Sequence, residues 1–281
     1  PGTTNDVFVK SLSKKYRLSE NFFLVYSPER ENPVIKNLGQ RYNFYNTPKI
    51  CSGYSTRCSK LGFVLYSKVI KKVVKSKSIQ SAEMSKMVEN VYRATNIGLV
   101  NELKMLCHKM NIDIHEVLKL ARTKPFGFTP FKPGPGIGGH CIPVDPYYLI
   151  NEAKRQNFNL KFIKQAMNTN KIIINWSIKK IENIIKKEKI NLNNSKILFL
   201  GAAYKANIDD IRESPSIKIF KYFNQQKINF DYCDPYISKI NIIDFYKKSV
   251  NLNYKYFKKY KVVILLTDHN AFDQKQIINN S

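Results

Sequence analysis

Residues 196–201 have the sequence Lys196-Ile-Leu-Phe-Leu-Gly201, an uninterrupted apolar run that ends at a glycine. Such a run is typical of a buried strand of a parallel sheet. Downstream, Ser214-Pro215 predicts a helix with proline in its first turn, and further strands are predicted at 229–233 and 261–266. Strand, helix and strand in alternation indicate a parallel sheet covered by helices. We therefore predict an α/β fold, with a truncated Rossmann-like unit over residues 191–281.

A helical region precedes this unit. From Ser81, a candidate N-cap, to Ile97 the sequence contains no Pro or Gly, and its apolar residues recur at near-helical spacing. This pattern predicts a long helix that extends to Met110. Further helices are predicted at 114–122 and 147–189, separated by a loop rich in Gly and Pro at 124–146. We predict a central helical domain over residues 79–190.

The remaining residues, 1–78, contain short apolar runs at 22–26 and 61–66 that are interrupted by Pro28, Pro48 and Gly53. This pattern is consistent with the end of an α/β unit, but the segment is too short for a whole domain of that kind. We predict that residues 1–78 are the C-terminal part of a Rossmann domain.

The composition limits the classes of partner. Lys+Arg 47 against Asp+Glu 21 gives a net charge of +26, but the lysines are spread over the whole chain rather than clustered. A nucleic-acid binder usually concentrates its charge, so we expect anionic small ligands and no nucleic acid. The sequence has neither a signal peptide nor an apolar run long enough to cross a membrane. We expect a cytoplasmic protein without membrane insertion.

Five cysteines are present, and no pair has the spacing of a zinc or redox motif. We expect free thiols and no metal site. Cys107 falls in a helical stretch and is expected to pack, whereas Cys51, Cys58 and Cys233 lie near strand or loop signals. Cys141 follows the loop rich in Gly and Pro.

That loop contains Gly134, Gly136 and Gly139, which satisfy the dinucleotide fingerprint G-x-G-x-x-G. The fingerprint requires a buried strand before it and a helix that opens within it. Here a Phe-Lys-Pro sequence precedes it and Pro135 interrupts it, so we do not assign a dinucleotide site. Glycines also allow a ligand to approach the backbone closely. We favour a ligand loop over an irregular connector, because these residues lead directly into Cys141.

A thiol becomes nucleophilic where positive charge or hydrogen-bond donors stabilise the thiolate. Around Cys141 the sequence offers His140, Asp145 and, upstream, Lys132. Because adjacent side chains on an extended backbone point apart, we expect no dyad between His140 and Cys141 and a structural role for the histidine. Spacing alone leaves a catalytic and a packing cysteine both open.

Four segments, in this order, resemble the UDP-glucose/GDP-mannose dehydrogenase family. They are Tyr26-Ser-Pro-Glu-Arg30, Ala82-Glu-Met-Ser-Lys-Met-Val-Glu-Asn-Val-Tyr-Arg93 with Asn101-Glu102, Gly134-Pro-Gly-Ile-Gly-Gly-His-Cys-Ile-Pro-Val-Asp-Pro-Tyr-Tyr-Leu149, and Tyr204-Lys-Ala-Asn-Ile-Asp-Asp-Ile-Arg-Glu-Ser-Pro215. The resemblance implies an enzyme that uses NAD to oxidise the C6 alcohol of a nucleotide sugar twice, to a uronate for surface polysaccharides. It also implies a homodimer paired through the long helix.

The resemblance implies roles for individual residues. Cys141 corresponds to the nucleophile that forms a thiohemiacetal and then a thioester. Lys86 and Asn90 lie four residues apart and therefore on one helix face, and they correspond to the pair that holds water and the developing oxyanion. Asp145 corresponds to an aspartate that manages protons near the cysteine. Glu29 corresponds to the proposed base in thioester hydrolysis.

Binding residues follow in the same way. The substrate loop corresponds to Lys132, Pro133, Gly134, Gly136 and Gly138. Lys205 corresponds to a substrate lysine, Arg122 to an arginine that reaches the neighbouring subunit's site, and Arg212 to an arginine that contacts the NAD phosphates. The Gly-Gly-His-Cys-Ile-Pro-Val-Asp sequence favours UDP-N-acetylglucosamine as the substrate, with UDP-N-acetylmannosamine or UDP-glucose as alternatives.

The chain also departs from the family pattern. Family members begin with a complete Rossmann domain, and Pro1 corresponds to a position after its glycine fingerprint. A threonine of the family's site would precede Pro1 and therefore has no number here. We expect a fragment that binds a UDP-sugar at most and does not turn it over by itself. The alternative is a non-catalytic remnant that binds UDP-sugars.

Overall fold

A computed structural model describes residues 1–31, 43–192 and 196–281. The chain forms two compact units. The first unit comprises Pro1–Tyr92 and Asp145–Asn159, and the second comprises Arg93–Val144 and Leu160–Ser281. Helices and strands alternate along both, which confirms the predicted α/β class.

The first unit is built on a three-stranded sheet. It opens with a π-helical segment, Thr4–Val9, which continues into the short α1, Lys10–Leu12. The strands are β1 (Val25–Tyr26), β2 (Lys49–Gly53) and β3 (Val73–Lys75), with β2 antiparallel to β1 and parallel to β3.

Helix α2 (Thr56–Ser67) packs closely on this sheet. A Cβ at Gly62 would lie 2.8 Å from both methyl groups of Val25 and 3.0 Å from Cys51 Sγ, so only glycine fits there without movement. The apolar run at 61–66 belongs to this helix. Cys58, which the sequence placed near a strand or loop, lies in the first turn of α2. It is therefore close to β2, which ends at Gly53, but it lies within a helix.

Helix α3 (Ile79–Lys109) confirms the predicted long helix. The residue that caps it differs from the prediction, because Ser78 Oγ accepts the N–H of Ser81 at 3.1 Å. An N-cap hydroxyl accepts such a bond from the third helical residue, and Ser81 is that third residue. Tyr92 is the last α3 residue of the first unit, and the remainder belongs to the second unit.

The predicted helix at 147–189 is two helices, α5 (Asp145–Arg155) and α6 (Lys161–Lys187). Asn157 has a left-handed backbone (φ 56), and Phe158 N–H donates to Ala153 O at 2.8 Å. This is a helix end of the kind usually formed with glycine, which asparagine also tolerates. No Gly or Pro lies at the break, so the sequence was predicted to continue as one helix through it.

The second unit contains α4 (Ile114–Ala121), as predicted, and α6 crossing α3 closely. A Cβ on Gly98 would lie 3.0 Å from the Ala166 carbonyl oxygen. Of the described residues 1–31, 43–192 and 196–281, none belongs to a helix that is both long and apolar enough to span a bilayer.

A parallel sheet of order β5-β4-β8 completes this unit. Its strands are β4 (Ile197–Leu200), β5 (Phe230–Cys233) and β8 (Val262–Leu265), and α7 (Pro215–Gln225) begins at the predicted proline. The three strands confirm the prediction. For β4 the reason is that the strand is wholly buried, so its apolar run is continuous. The aromatic core joins Phe199 to Phe220, with ring centroids 5.1 Å apart.

Within this unit, a hairpin and two helices were not predicted. An antiparallel hairpin joins β6 (Lys239–Ile242) to β7 (Phe245–Lys248), a 3₁₀ helix covers Tyr254–Lys259, and α8 covers Gln274–Asn280. The hairpin turns at Asp244, which adopts a left-handed backbone (φ 62). Its strands carry lysines and asparagine beside one buried position each, so their sequences lack a clear strand pattern.

Candidate active site

Two buried asparagines anchor the loop that carries Cys141. Asn101 on α3 is fully buried, and its Oδ1 accepts the Gly134 N–H at 2.9 Å. Its amide nitrogen lies 3.3 Å from Asn170 Oδ1 on α6, and Asn170 donates to the Ala94 carbonyl at 2.9 Å. A buried amide that satisfies its bonds in this way fixes the backbone it holds. Asn101 had been part of a motif without an assigned role.

The glycines of the loop differ in their surroundings. A Cβ at Gly136 would lie 2.9 Å from Ile174 Cγ1, and one at Gly138 would lie 2.5 Å from Tyr204 Cβ. At Gly134 the nearest such atom is 3.8 Å away, on Gly136 itself. Close packing on the protein therefore explains Gly136 and Gly138, whereas Gly134 has open space beside its backbone.

The G-x-G-x-x-G sequence lies in irregular loop, with no strand directly before it and no helix opening within it. The loop therefore lacks the preceding strand and the opening helix that a dinucleotide fingerprint requires. Gly139 has φ +91 and its N–H donates to the Arg212 carbonyl at 2.9 Å. The loop is thus fastened to the segment that follows β4.

Cys141 is the exposed thiol of the chain. Cys51, Cys58 and Cys233 are buried, Cys107 is partly buried, and all five thiols are free, as expected. Burial raises the pKa of the Cys233 thiol to about 12. Only a thiolate attacks a carbonyl efficiently, so Cys141 is the thiol best placed to react with a solute.

The expectation that the His140 and Cys141 side chains point apart was wrong. His140 Nδ1 lies 3.9 Å from Cys141 Sγ. The backbone bends at 139–141 and turns at 142–144, where Val144 N–H donates to the Cys141 carbonyl at 3.0 Å. A bent backbone lets adjacent side chains approach, whereas the prediction had assumed an extended one.

Arg212, which lies within electrostatic range of the thiol, forms an ion pair with Asp210. Arg212 Nη2 lies 2.6 Å from Asp210 Oδ2, and its Nε also donates to both carboxylate oxygens. Burial opposes ionisation of Asp210, but these bonds outweigh it and lower the pKa of the carboxyl. Cys141 lies within electrostatic range of Arg212 and of Tyr204. The arginine within electrostatic range of the thiol is therefore already paired with a carboxylate.

Lys205 lies half-buried in the same segment. Burial lowers the pKa of its ammonium, and repulsion from Arg93 lowers it further. Two cations brought together in this way are stabilised by an anion between or beside them. Arg93 was missed as a candidate, although it closes the α3 motif that was quoted for its lysine and asparagine.

In the first unit, Asn90 and Asp145 are in direct contact. Asn90 is buried, and its Nδ2 donates to Asp145 Oδ2. Asp145 is the first residue of α5 rather than part of the preceding loop. Lys86 lies one turn earlier on the same face of α3 and is partly buried. Two residues that the motifs had singled out separately are thus joined.

Glu29 is held as a carboxylate. Oε2 pairs with Lys49 Nζ at 2.8 Å, and Oε1 accepts the N–H groups of Arg30 and Glu31 at 2.7 and 2.8 Å. Burial alone would raise the pKa of Glu29, but these donors outweigh it and lower the pKa. Lys49 lies on β2, and its side chain is 8% exposed. Sequence inspection missed it because a lysine within a strand carries no motif.

Arg30 connects the Ser-Pro-Glu-Arg segment to α3. Its Nη2 lies 2.8 Å from Glu89 Oε1, and its Nη1 donates to the Pro48 carbonyl at 2.8 Å. Both side chains of this ion pair are about one third exposed or less, at 29% and 34%.

Two further predicted site residues are exposed. Arg122 is the C-cap of α4, and Lys132 lies beside the partly buried Pro133.

Comparison with known proteins gives consistent relatives. The central domain of the UDP-glucose/GDP-mannose dehydrogenase family matches residues 80–172, and the UDP binding domain of that family matches residues 198–280. A UDP-N-acetyl-D-glucosamine 6-dehydrogenase from Pseudomonas aeruginosa is 34% identical over 241 residues, which are 85% of this chain and 56% of that protein. A UDP-N-acetyl-D-mannosamine dehydrogenase from Methanocaldococcus jannaschii is 28% identical, over 99% of this chain and 60% of that protein.

The solved structure of a UDP-D-ManNAc dehydrogenase from Pyrococcus horikoshii superposes with a TM-score of 0.84 at 26% identity, over 100% of this chain and 64% of that one. The fold and the matched domains are those of a nucleotide-sugar dehydrogenase. The chain belongs to the UDP-glucose/GDP-mannose dehydrogenase family, which confirms the resemblance inferred from the four motifs. It spans little more than half the length of the first relative, 56%.

Proposed function

We propose that the protein carries out the NAD-dependent, two-step oxidation of the C6 alcohol of a UDP-N-acetylhexosamine to the uronate, in the cytoplasm, for surface polysaccharide synthesis. One observation carries the proposal: an exposed free thiol, Cys141, lies on a loop anchored by buried Asn101 in a chain of this family. UDP-N-acetylglucosamine is the proposed substrate because a 34% identical relative bears that name. UDP-N-acetylmannosamine and UDP-glucose are the alternatives.

Cys141 is the proposed nucleophile. After the first oxidation its thiolate adds to the C6 aldehyde, giving a thiohemiacetal whose oxygen takes up a proton. Loss of the second hydride and of that proton gives a thioester on Cys141. Water then adds to the thioester carbon, and the thiolate leaves as the carboxylate forms.

Lys86 and Asn90 are the proposed stabilisers of negative charge on the reacting oxygen, because a cation and an amide donor aimed at an oxyanion lower the barrier to its formation. The contact from Asn90 to Asp145 supports a joint role. Asp145 is proposed to accept and return the proton of the C6 oxygen. Its hydrogen bond to a neutral amide leaves it acceptor capacity for that task.

Glu29 is the proposed base in hydrolysis of the thioester. Three of its acceptor positions are occupied by Lys49 and two backbone amides. A carboxylate has about four such positions, so one remains for a water molecule. The lowered pKa of Glu29 keeps it ionised at neutral pH, which is the form that a base requires.

Substrate binding is proposed for the loop around Gly134 and for Lys205. Gly134 has room beside its backbone, and Lys205 with Arg93 forms a cationic pair suited to a diphosphate. The loop residues proposed to contact substrate are Lys132, Pro133, Gly134, Gly136 and Gly138. Arg122 is proposed to act in the site of a neighbouring subunit, in line with its exposure at the end of α4.

NAD would supply the oxidant, and two NAD molecules bound in succession would each accept one hydride. Among the described residues, Arg212 is suited to bind one of the NAD phosphates. Its side chain is 63% exposed, and its guanidinium already makes forked hydrogen bonds to the Asp210 carboxylate. Its proposed task is to orient the cofactor.

A homodimer is proposed from the surface of α3. Leu99, Leu103 and Leu106 on α3, and Met110 directly after its end, are all more than a third exposed, at 55%, 37%, 52% and 57%. Their alternating spacing of four and three residues is that of a helix that packs against another helix. A soluble chain rarely leaves such a stripe uncovered, and a second copy of α3 offers the same stripe in return.

The test uses the protein from the complete reading frame that contains residues 1–281. Given UDP-N-acetylglucosamine and NAD, we expect two NADH for each uronate formed. Cys141→Ala should form no uronate, whereas Cys107→Ala, which removes a partly buried thiol, should retain activity. A Cys141→Ala protein that completed both oxidations would overturn the proposal. Parallel assays with the other two sugars identify the substrate.

A second function, binding of a UDP-sugar without turnover, is favoured by one observation. The residues that the structure describes contain no strand, glycine-rich turn and helix of the dinucleotide type. For residues 1–281 alone we expect UDP-sugar binding by calorimetry and no NADH. Turnover by this segment would exclude that function.

A further inference from the structure

A single buried carboxylate connects the ends of all three strands of the β5-β4-β8 sheet. Asp234 directly follows β5, and its Oδ2 accepts the N–H groups of Ala202 and Ala203 after β4 at 2.7 and 3.1 Å. The same oxygen lies 3.0 Å from Nε2 of His269, which follows β8. Neither side chain of this pair is exposed to solvent, at 0% each.

The other oxygen of Asp234 serves the turn that follows β5. Oδ1 accepts the N–H groups of Tyr236 and Ile237 at 2.8 and 3.0 Å. Burial would disfavour the charged form, but the bonds from His269 and the backbone outweigh it and lower the pKa of Asp234. The carboxylate is therefore fully used as an acceptor, as a buried charge must be.

The hydrogen bonds of His269 fix its tautomer. Nδ1 accepts the backbone N–H of Asn207 at 3.0 Å, so this nitrogen carries no proton. Nε2 must then carry the proton and donate it to Asp234. His269 is thus a neutral imidazole that links Asp234 to the backbone of residue 207 through one hydrogen bond on each ring nitrogen. No sequence motif had drawn attention to either residue.

Asn207 is held in an unusual conformation. Its backbone is left-handed (φ 62), and its Oδ1 accepts the N–H of Asn270 at 2.9 Å. A non-glycine residue in this region stays there only when its surroundings hold it. Here the surroundings are His269 and the residue that follows it.

Between the two anchored points, Ala203 and Asn207, lie Tyr204 and Lys205. The Tyr204 ring and Cβ form the surface on which Gly138 and Gly139 pack, so close that a Cβ on either glycine would approach within 3.0 Å. Cys141 follows two residues later. The charged and titratable groups around this segment are His140, Asp210, Arg212 and Arg93.

We propose that His269, oriented by Asp234, is a positioning residue of the site: its unprotonated Nδ1 sets the conformation of residues 204–207, and thereby the place of Lys205 and of the Gly138–Cys141 turn. The relevance to catalysis rests on the proposed function. The positioning itself rests only on the contacts of this unit.

Two substitutions separate the two bonds of the imidazole. His269→Asn places an acceptor where Nδ1 lies and removes the donor to Asp234. His269→Gln retains a donor near the Nε2 position and removes the acceptor for Asn207. Each replaces the buried ring and removes one of its hydrogen bonds, so both should lower thermal stability.

The readouts need no turnover. The first is the rate at which iodoacetamide alkylates Cys141 in the 281-residue chain, resolved by peptide mass spectrometry. The second is the dissociation constant of UDP by calorimetry. We expect His269→Asn to stay within about threefold of the parent in both, and His269→Gln to change at least one by about tenfold, a typical effect of one lost buried hydrogen bond.

The outcomes are distinct. Parent-like values for His269→Gln, or equal losses in both variants that follow their melting temperatures, would overturn the positioning role. If the parent chain does not bind UDP, the proposed substrate site fails, but the alkylation rates still test the positioning. If the protein from the complete reading frame produces no uronate while His269→Gln alters alkylation, the proposed function fails and the positioning role stands.

Discussion

Asn90 Nδ2 donates a hydrogen bond to Asp145 Oδ2, which ties the middle of α3 to the first residue of α5. Both residues carry proposed catalytic roles, and they are 55 positions apart in the sequence. The bond therefore fixes the relative position of two functional groups that no local sequence pattern connects. It also makes the amide of Asn90 a structural group, because the side chain is buried.

Removal of this amide should destabilise the first unit. We expect Asn90→Ala to lower its free energy of unfolding by about 1–3 kcal/mol, since the bond goes to a charged group and the site is buried. Native-state hydrogen exchange of α5 amides measures the change. Lys109→Ala, at the exposed end of α3, is the control and should be neutral. Unchanged exchange in Asn90→Ala would contradict a structural role.

Lys49 should control the ionisation of Glu29. The folded pKa of Glu29 is lowered, so its carboxylate contributes stability above its ordinary pKa, and this contribution is lost as the pH falls through the folded pKa. Lys49→Met keeps the buried volume without the charge. We expect the pKa of Glu29 to rise toward its ordinary range, measured by a ¹³C-carboxyl NMR titration.

The control for that titration is Lys77→Met, which removes an exposed lysine and should leave the Glu29 titration in place. If Lys49→Met also leaves it in place, the ion pair does not govern the carboxylate. In the active protein, Lys49→Met should also change the pH dependence of thioester hydrolysis. The pH below which the rate falls should rise together with the pKa of Glu29.

Two glycines of the cysteine loop should differ in how much an added methyl group lowers the stability of the protein. At Gly138 a Cβ would lie 2.5 Å from Tyr204 Cβ and 3.0 Å from the Glu213 carbonyl, so we expect Gly138→Ala to destabilise the second unit by about 1–3 kcal/mol. Gly134→Ala has space and should leave the unfolding midpoint unchanged. If Gly134 approaches the substrate, as proposed, this variant should instead weaken UDP-sugar binding. Equal unfolding midpoints for the two variants would contradict the packing.

Arg212 should act through its planar fork rather than its charge alone. Arg212→Lys keeps the cation but cannot make the forked contacts to Asp210 or to a phosphate. We expect the KM for NAD to rise by about tenfold, the effect of losing ~1.4 kcal/mol of binding, with a smaller change in kcat. The pKa of Asp210 should rise as well, which NMR detects without turnover. Arg155→Lys alters another exposed arginine and should change neither value.

The exposed stripe of α3 should determine the oligomeric state. We expect Leu103→Asp to convert a dimer into a monomer in analytical ultracentrifugation, because a carboxylate cannot be buried in an apolar helix seam. Ile243→Asp is the control, since Ile243 is 84% exposed in the β6–β7 turn and lies off the stripe. A parent chain that sediments as a monomer at micromolar concentration would contradict the dimer.

Local chemistry explains why much of the fold was predictable. The long α3, the buried β4 and the start of α7 at Ser214-Pro215 each follow from patterns within one element: apolar spacing, an uninterrupted apolar run, and proline at the first turn. The break between α5 and α6 was missed because asparagine stands where glycine usually does. The hairpin was missed because its two strands bury little.

The cysteine loop was recognisable from its residues, but its contacts were not. His140 and Cys141 come within 3.9 Å only because the backbone bends there. Asn101 reaches Gly134 across 33 positions, and Lys49 reaches Glu29 across 20. Such pairs depend on where the strands and helices pack, and no repeating pattern in the chain encodes them.

The sequence by itself determined the α/β class, the long helix and the family, because each is encoded in residues close together or in an ordered set of motifs. The same motifs predict Cys141 as the nucleophile. Only the tertiary structure decided which groups set the charge and position of the predicted site residues. Asp234 and His269, 35 positions apart and buried without a motif, are the clearest case. Their pairing exists because three parallel strands end at one edge, where a buried carboxylate must find donors from all of them.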